Sequence, residues 1–272
     1  MLRDITLGQY YQTDSILHRL DPRVKLMGTV VYLISLFVYK NLTVYLLAAL
    51  FLTCMIKISH VPFKFIVRGI KTIVFLLMIT AIFNVFLTPG DVLIKFWVIK
   101  ITKQGIVNAF YIAVRLIFLI IGSSLLTLTT TPNNLTDGLE KSLHFLNKLK
   151  VPVHEIAMMI AIALRFIPIL MEETDKIMKA QMARGADFEN GKLLEKVKAM
   201  VPLLVPLFIS AFRRANDLAM AMEARCYQGG DGRTKMKPLK YEKRDRIAYL
   251  ILAGYLAVTL LMGRFFPIHL PM

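Results

Sequence analysis

The sequence predicts an all-α integral membrane protein, with about five transmembrane helices and a cytoplasmic module of kinked amphipathic helices. Three observations predict it. Of the 272 residues, 56% are hydrophobic and 19% charged, with mean hydropathy +0.58; soluble domains run at roughly 45–50% apolar and about 25% charged. The apolar residues gather in runs near the ~20 that a helix needs to cross ~30 Å of hydrocarbon. The Lys and Arg residues lie mostly on one side of those runs. Cys54 and Cys226 are too few and too far apart for a disulfide framework or a Cys-rich zinc module.

Val24–Tyr39 and Leu42–Ile58 are separated only by Lys40-Asn41 and read as a tight helical hairpin. The polar stretch before them has no apolar run of its own and is not a cleaved signal peptide. Phe65–Leu87 carries charge only in its first turns and stops at Thr88-Pro89-Gly90, a turn signal. Val92–Ile101 is too short to span and partly alternates, so it reads as an interfacial hairpin or strand. Gly105–Thr131 is apolar except for Arg115, and Ala248–Phe266 is the last span. Val153–Met171 holds Glu155, Arg165 and Pro168, and Val201–Phe212 holds Pro202 and Pro206. Charges at mid-bilayer cost at least ~2.5 kcal/mol for an Arg, so both are expected as helices packed against protein rather than as spans.

Charge then orients the chain. Five cations (Lys40, Lys95, Lys100, Lys103, Arg264) fall in the loops on one side, 28 on the other, and Arg115 inside a span. The positive-inside rule places the N-terminus in the cytoplasm and the C-terminus outside. The net charge of +16 is thereby a topology signal and needs no nucleic acid.

The organisation expected is residues 1–131 (N-terminal segment and four spans), 132–247 (cytoplasmic helical module) and 248–272 (last span). The module opens with a helix capped at Asn134, its leucines at 135, 139, 143, 146 and 149 on one face, stopped by Pro152. A second helix runs from Val153 to Arg184, kinked at Pro168 and closed by Gly185. A turn at 187–191 leads to a third, Lys192–Met200, which Pro202 and Pro206 separate from a fourth ending near Arg225. The glycines at 229, 230 and 232 form a loop, and the basic Lys235–Arg246 faces anionic lipid.

Two strings in this module echo each other: Ala180-Gln181-Met182-Ala183-Arg184-Gly185 and Ala221-Met222-Glu223-Ala224-Arg225-Cys226. Each sets an Arg between small residues at a helix end. Small neighbours permit close approach, and a guanidinium presents five donors in a rigid fork. An Arg there also complements the helix dipole, worth typically 0.3–1 kcal/mol, but duplication within one module favours a docking role.

Taken with these strings, Leu17-His18-Arg19-Leu20-Asp21-Pro22-Arg23-Val24-Lys25 and Arg165-Phe166-Ile167-Pro168 with Glu172 make the chain resemble the T component (EcfT), the transmembrane scaffold of energy-coupling factor (ECF) transporters. The resemblance implies a non-enzymatic subunit without cofactor, partnered by two ATP-binding-cassette ATPases (EcfA and EcfA′ type) and by an S component that binds a vitamin or metal ion for uptake. It also implies that Ala183, Arg184, Gly185 and Ala224, Arg225, Cys226 are the ATPase-coupling motifs. Cys226 stands where the family pattern has glycine, which puts in doubt any role needing glycine's backbone freedom there.

Other sites carry less. Gly185 to Lys192 has five residues between its glycines and Leu193 after the Lys, so it is not a phosphate-binding loop. The five histidines show no metal-ligand spacing. Glu172, Glu173 and Asp175, with Lys176 and Lys179, read as a solvated, salt-bridged helix face. Arg115 is either functional or a snorkelling or paired cation. A stand-alone secondary transporter or channel is the alternative function, but the five spans contain no Asp or Glu for ion coupling. A membrane enzyme would need a polar constellation that none of these groupings supplies.

Overall fold

Asp21-Pro22 starts the first helix, as an acidic N-cap followed by proline should. Asp21 accepts the Arg23 N–H at 2.9 Å, and α1 runs Pro22–Val38. The computed structural model describes residues 10–39, 41–96, 99–186, 193–230, 236 and 238–265. Asn41 precedes α2, Leu42–Ser59, which ends on His60 in the left-handed conformation. α3 is Phe63–Leu87. The run after it is a two-stranded antiparallel hairpin, β1 Val92–Phe96 against β2 Ile99–Thr102, with Phe96 opposite Ile99. The Thr102 hydroxyl donates to the Thr88 carbonyl at 2.8 Å and accepts the Gly105 N–H at 3.1 Å, so one side chain closes α3 and caps α4, Lys103–Thr129.

The chain divides into two compact units. One comprises Gly8–Lys141 and Leu239–Met272, the other Met1–Leu7 and Ser142–Pro238. In the first, α1, α2 and α4 pack with α8, Lys243–Phe265. Their shared core holds Tyr32, Leu36, Ala48, Leu52, Ile121 and Tyr255. Ser35 and Tyr255 share a buried hydrogen bond of 2.8 Å there.

The N-terminal signature joins three of these helices. The Asp245 carboxylate, 1% exposed, accepts the Asp21 N–H at 2.9 Å and the Glu242 N–H at 2.8 Å, the second satisfying a free donor at the start of α8. Arg23 pairs with Asp21 at 2.8 Å and lies 3.8 Å from the Tyr241 ring centroid. Buried Lys25 donates to the carbonyls of His18 (3.0 Å) and of Thr129 (2.9 Å), the latter in the last turn of α4, where the helix dipole favours a cation. α5, Pro132–Ser142, comes close enough to α1 that a side chain at Gly138 would meet Pro22.

The module differs from expectation at three points. Its first helix is capped by Thr131, whose hydroxyl accepts the Asn134 N–H at 3.3 Å, with Pro132 as first residue. It also ends at Ser142; a 3-10 stretch, His144–Leu149, follows and stops on Lys150 in the left-handed conformation. The leucine periodicity fits both periods over so short a run, since three-residue spacing is the 3-10 repeat. α6 is one helix, Val153–Ala183, with Pro168 inside it. The expected third and fourth helices are a single α7, Leu193–Glu223, with Pro202 and Pro206 inside it. Each proline costs its own N–H, and the flanking turns carry the helix through.

By length and composition, Leu42–Ser59, Lys103–Thr129, Val153–Ala183 and Lys243–Phe265 could each cross a membrane. α1 is 17 residues, and the apolar part of α3 is Ile73–Leu87. The turn at 187–191, Lys235, Lys40 and His269 lie outside the described residues.

Candidate functional site

The two Ala-Arg strings fold identically. Arg184 is the C-cap of α6 and donates its N–H to the Gln181 carbonyl at 3.0 Å. Gly185 follows at φ +89°, donating to Met182 at 3.0 Å, and Ala186 donates back to Gln181 at 3.0 Å. At the end of α7, Arg225 donates to Met222 at 3.1 Å, Cys226 to Glu223 at 2.9 Å, and Tyr227 to Met222 at 3.0 Å. Both are Schellman endings, in which the residue after the cap turns left-handed so that two N–H groups can reach the helix's free carbonyls. Cys226 adopts φ +55°. It takes the glycine-type conformation at a cost of roughly 1–2 kcal/mol for a residue with a Cβ, so the doubt about glycine's freedom at this position is resolved for the backbone.

All six motif residues, Ala183, Arg184, Gly185, Ala224, Arg225 and Cys226, are exposed. Among the described residues neither guanidinium has an ion-pair partner. The arrangement therefore holds the Arg stem by the backbone and leaves its donors available.

The helices bearing these tips run antiparallel. Gln181 Nε2 donates to the Pro202 carbonyl at 3.3 Å, and Glu173 accepts from Ser210 and from Arg214, at 2.8 Å from Nη2. Arg184 lies within a turn of the Gln181–Pro202 contact, whereas Arg225 is roughly 35 Å further along α7 at 1.5 Å per residue. Glu173, expected on a solvated face with Lys176 and Lys179, pairs instead with Arg214 across the helices. On α7, Val201, Leu204, Val205, Phe208 and Phe212 are all exposed and recur at three- and four-residue intervals, forming one uncovered apolar stripe. Met159, Ile160 and Met182 are exposed on α6.

Arg115 donates Nε–H to the Tyr45 hydroxyl at 3.0 Å and sits 5.1 Å from the Phe37 ring centroid. Tyr45 and Phe37 are each within a turn of the joined ends of α2 and α1, so Arg115 is a paired cation near the end of that hairpin. No three His, Cys, Asp or Glu side chains gather as a metal site among the described residues.

The family profile described as CbiQ, cobalt transport protein, matches residues 13–236. Over 263 residues the chain is 53% identical to the energy-coupling factor transporter transmembrane protein EcfT of Clostridium kluyveri, covering 96% of this chain and 97% of that one. It is 46% identical over 260 residues to the EcfT of Bacillus subtilis (94% and 98%) and 44% identical over 262 to that of Lactococcus lactis subsp. cremoris (96% and 97%). The match runs through the N-terminal staple, the paired helices and both arginine-capped ends, and the chain belongs to the EcfT family, the transmembrane proteins of energy-coupling factor transporters.

Proposed function

We propose that the chain is the coupling subunit of an ATP-driven importer, passing motion from two cytoplasmic ATP-binding-cassette ATPases to an S component that carries a vitamin or metal ion. The observation that supports this most is the repeated ending, an exposed guanidinium held at the cap of each of two antiparallel helices. Five fixed donors suit a groove of carboxylates and carbonyl oxygens, and Ala183 with Gly185, or Ala224 with Cys226, lets the groove wall approach. Tips roughly 35 Å apart along the helix suit one tip per ATPase. The apolar stripe of α7 and the methionines of α6 offer a seat for a membrane-embedded S component, methionine being pliable enough to fit more than one such surface. Cargo selection belongs to the S component and hydrolysis to the ATPases. The N-terminus and the module face the cytoplasm and the C-terminus the outside, as the charge bias directs.

The test is uptake by the co-expressed complex. Arg184→Ala with Arg225→Ala abolishes uptake while the chain still reaches the membrane and assembles. Arg→Lys at both positions also loses most of it, because an ammonium keeps the charge and loses the fork. Normal uptake by the double Ala variant overturns the proposal.

A further inference from the structure

Proline at 206 has no N–H, so the carbonyl of Pro202, four residues earlier, has no helical donor. Gln181 Nε2 supplies one from the other helix, at 3.3 Å. Eight residues back along α6, roughly 12 Å, the Glu173 carboxylate makes the second cross-helix tie. One oxygen accepts the Ser210 hydroxyl, and the other accepts Arg214 Nε at 3.2 Å and Nη2 at 2.8 Å. Ser210 and Arg214 are one turn apart on α7, so a single carboxylate engages both.

The two ties land at positions 202 and 210 of α7, and they bracket the turn that Pro206 weakens. Leu170 of α6 and Leu207 and Ala211 of α7 line an apolar cleft at the crossing. Apolar contact of this kind lets helices slide or rotate at little cost, because it is non-directional. A directional bond at each end stops both motions. Glu173 and Arg214 side chains are 23% and 38% exposed, enough cover to fix geometry without burying a charge outright.

Resting on the coupling reading above, we infer that Gln181, Glu173, Ser210 and Arg214 splint the proline-weakened stretch of α7 against α6, making the crossing a rigid joint. Force arriving at either arginine tip then turns both helices as one lever. These are positioning residues; none of them touches cargo or nucleotide.

The test uses the complete complex with its ATPases and S component, carrying Glu173→Arg, Arg214→Glu, the combined swap, or Gln181→Leu. Two readouts are taken: hydrogen exchange of the amides between 203 and 209, and cargo uptake set against ATP hydrolysis. Each single charge reversal should speed that exchange at least fivefold and lower uptake at least tenfold while hydrolysis continues. Gln181→Leu should do both more mildly, and the swap should restore both to within about twofold. Unchanged exchange in the single variants, or a swap that fails to recover, overturns the splint. Faster exchange with normal uptake overturns its role as a lever. Either result stands apart from the coupling reading, which falls only if the Arg184/Arg225 double Ala variant transports normally.

Discussion

Glycine and cysteine occupy equivalent left-handed positions at the two helix ends, so exchanging side chains there should move local stability in opposite directions. Cys226→Gly removes a Cβ from a residue at φ +55°, relieving roughly 1–2 kcal/mol. The added freedom of glycine in the unfolded chain returns about 0.5–1 kcal/mol of that. The net expectation is a gain of about 0.7 kcal/mol, a roughly threefold change in the local opening equilibrium. Gly185→Ala, at φ +89°, should lose about as much. The reporting amides are Tyr227, bonded to the Met222 carbonyl at 3.0 Å, and Ala186, bonded to that of Gln181 at 3.0 Å. Hydrogen exchange in nanodiscs should show Tyr227 about threefold slower in Cys226→Gly and Ala186 about threefold faster in Gly185→Ala. Shifts of the same sign at the two ends, or none at either, would refute the equivalence of the two endings.

Two further outcomes concern the N-terminal staple. Asp245→Ala strips the acceptor from the Asp21 and Glu242 N–H groups; a buried donor left unsatisfied costs about 1–3 kcal/mol, so thermal unfolding in detergent should fall by several degrees, whereas an unchanged melting temperature would show that the contact carries no stability. His18 donates Nε2–H to the Tyr11 carbonyl at 3.1 Å, and its Nδ1 accepts from Ser15 at 2.7 Å. Burial, then the Lys25 ammonium, holds its pKa below the ordinary value of 6.5. The folded state thus favours the neutral ring, so its contribution is whole above about pH 6.5 and is lost as pH falls through the lowered folded value. Replacing His18 by Gln should flatten the drop in melting temperature on acidification from pH 7 to 5, and an unaltered slope would remove His18 as its source.

How far the sequence could be read depended on the range of the interaction involved. The apolar helices were legible because hydrocarbon imposes a length and a composition on each one separately, and α3 and α4 begin and end within two residues of the expected bounds. Of the five expected spans, however, only α2, α4 and α8 are long and apolar enough to cross, whereas α6, expected to pack against protein, is so as well. The closing of α6 was legible for the same local reason, since Gly185 supplies the left-handed residue a Schellman ending needs. Cys226 hid the second ending, because nothing in a cysteine announces a positive φ; only the echo with the first string marked it. Pro202 and Pro206 misled in the other direction. Local propensity counts proline as a stop, yet one of the carbonyls it orphans is met by Gln181, more than twenty residues away in sequence. Glu173 was misassigned for want of the same information, as i,i+3 and i,i+4 neighbours were visible and Arg214 was not. Asp21 and Asp245 are over two hundred residues apart, and no periodicity connects them.

The helix dipole and the proposed docking role do not compete for the two arginines. A cation at a helix C-terminus gains its 0.3–1 kcal/mol from position alone, and Lys would gain as much. That interaction uses the charge and leaves the geometry of the fork unspent. What the dipole does not account for is the company the arginines keep: a small residue before each, a left-handed residue after each, and all three exposed. A Schellman ending turns the chain back at the residue after the cap, so the cap residue stands at the extremity of the rod, where a side chain reaches furthest from its own helix. Putting an arginine there twice, on antiparallel helices tied together between the tips, makes sense for a part that is gripped at two separated points and has to move as one piece. A surface merely balancing its dipoles has no reason to align two such ends or to bind their shafts across the turn that Pro206 weakens.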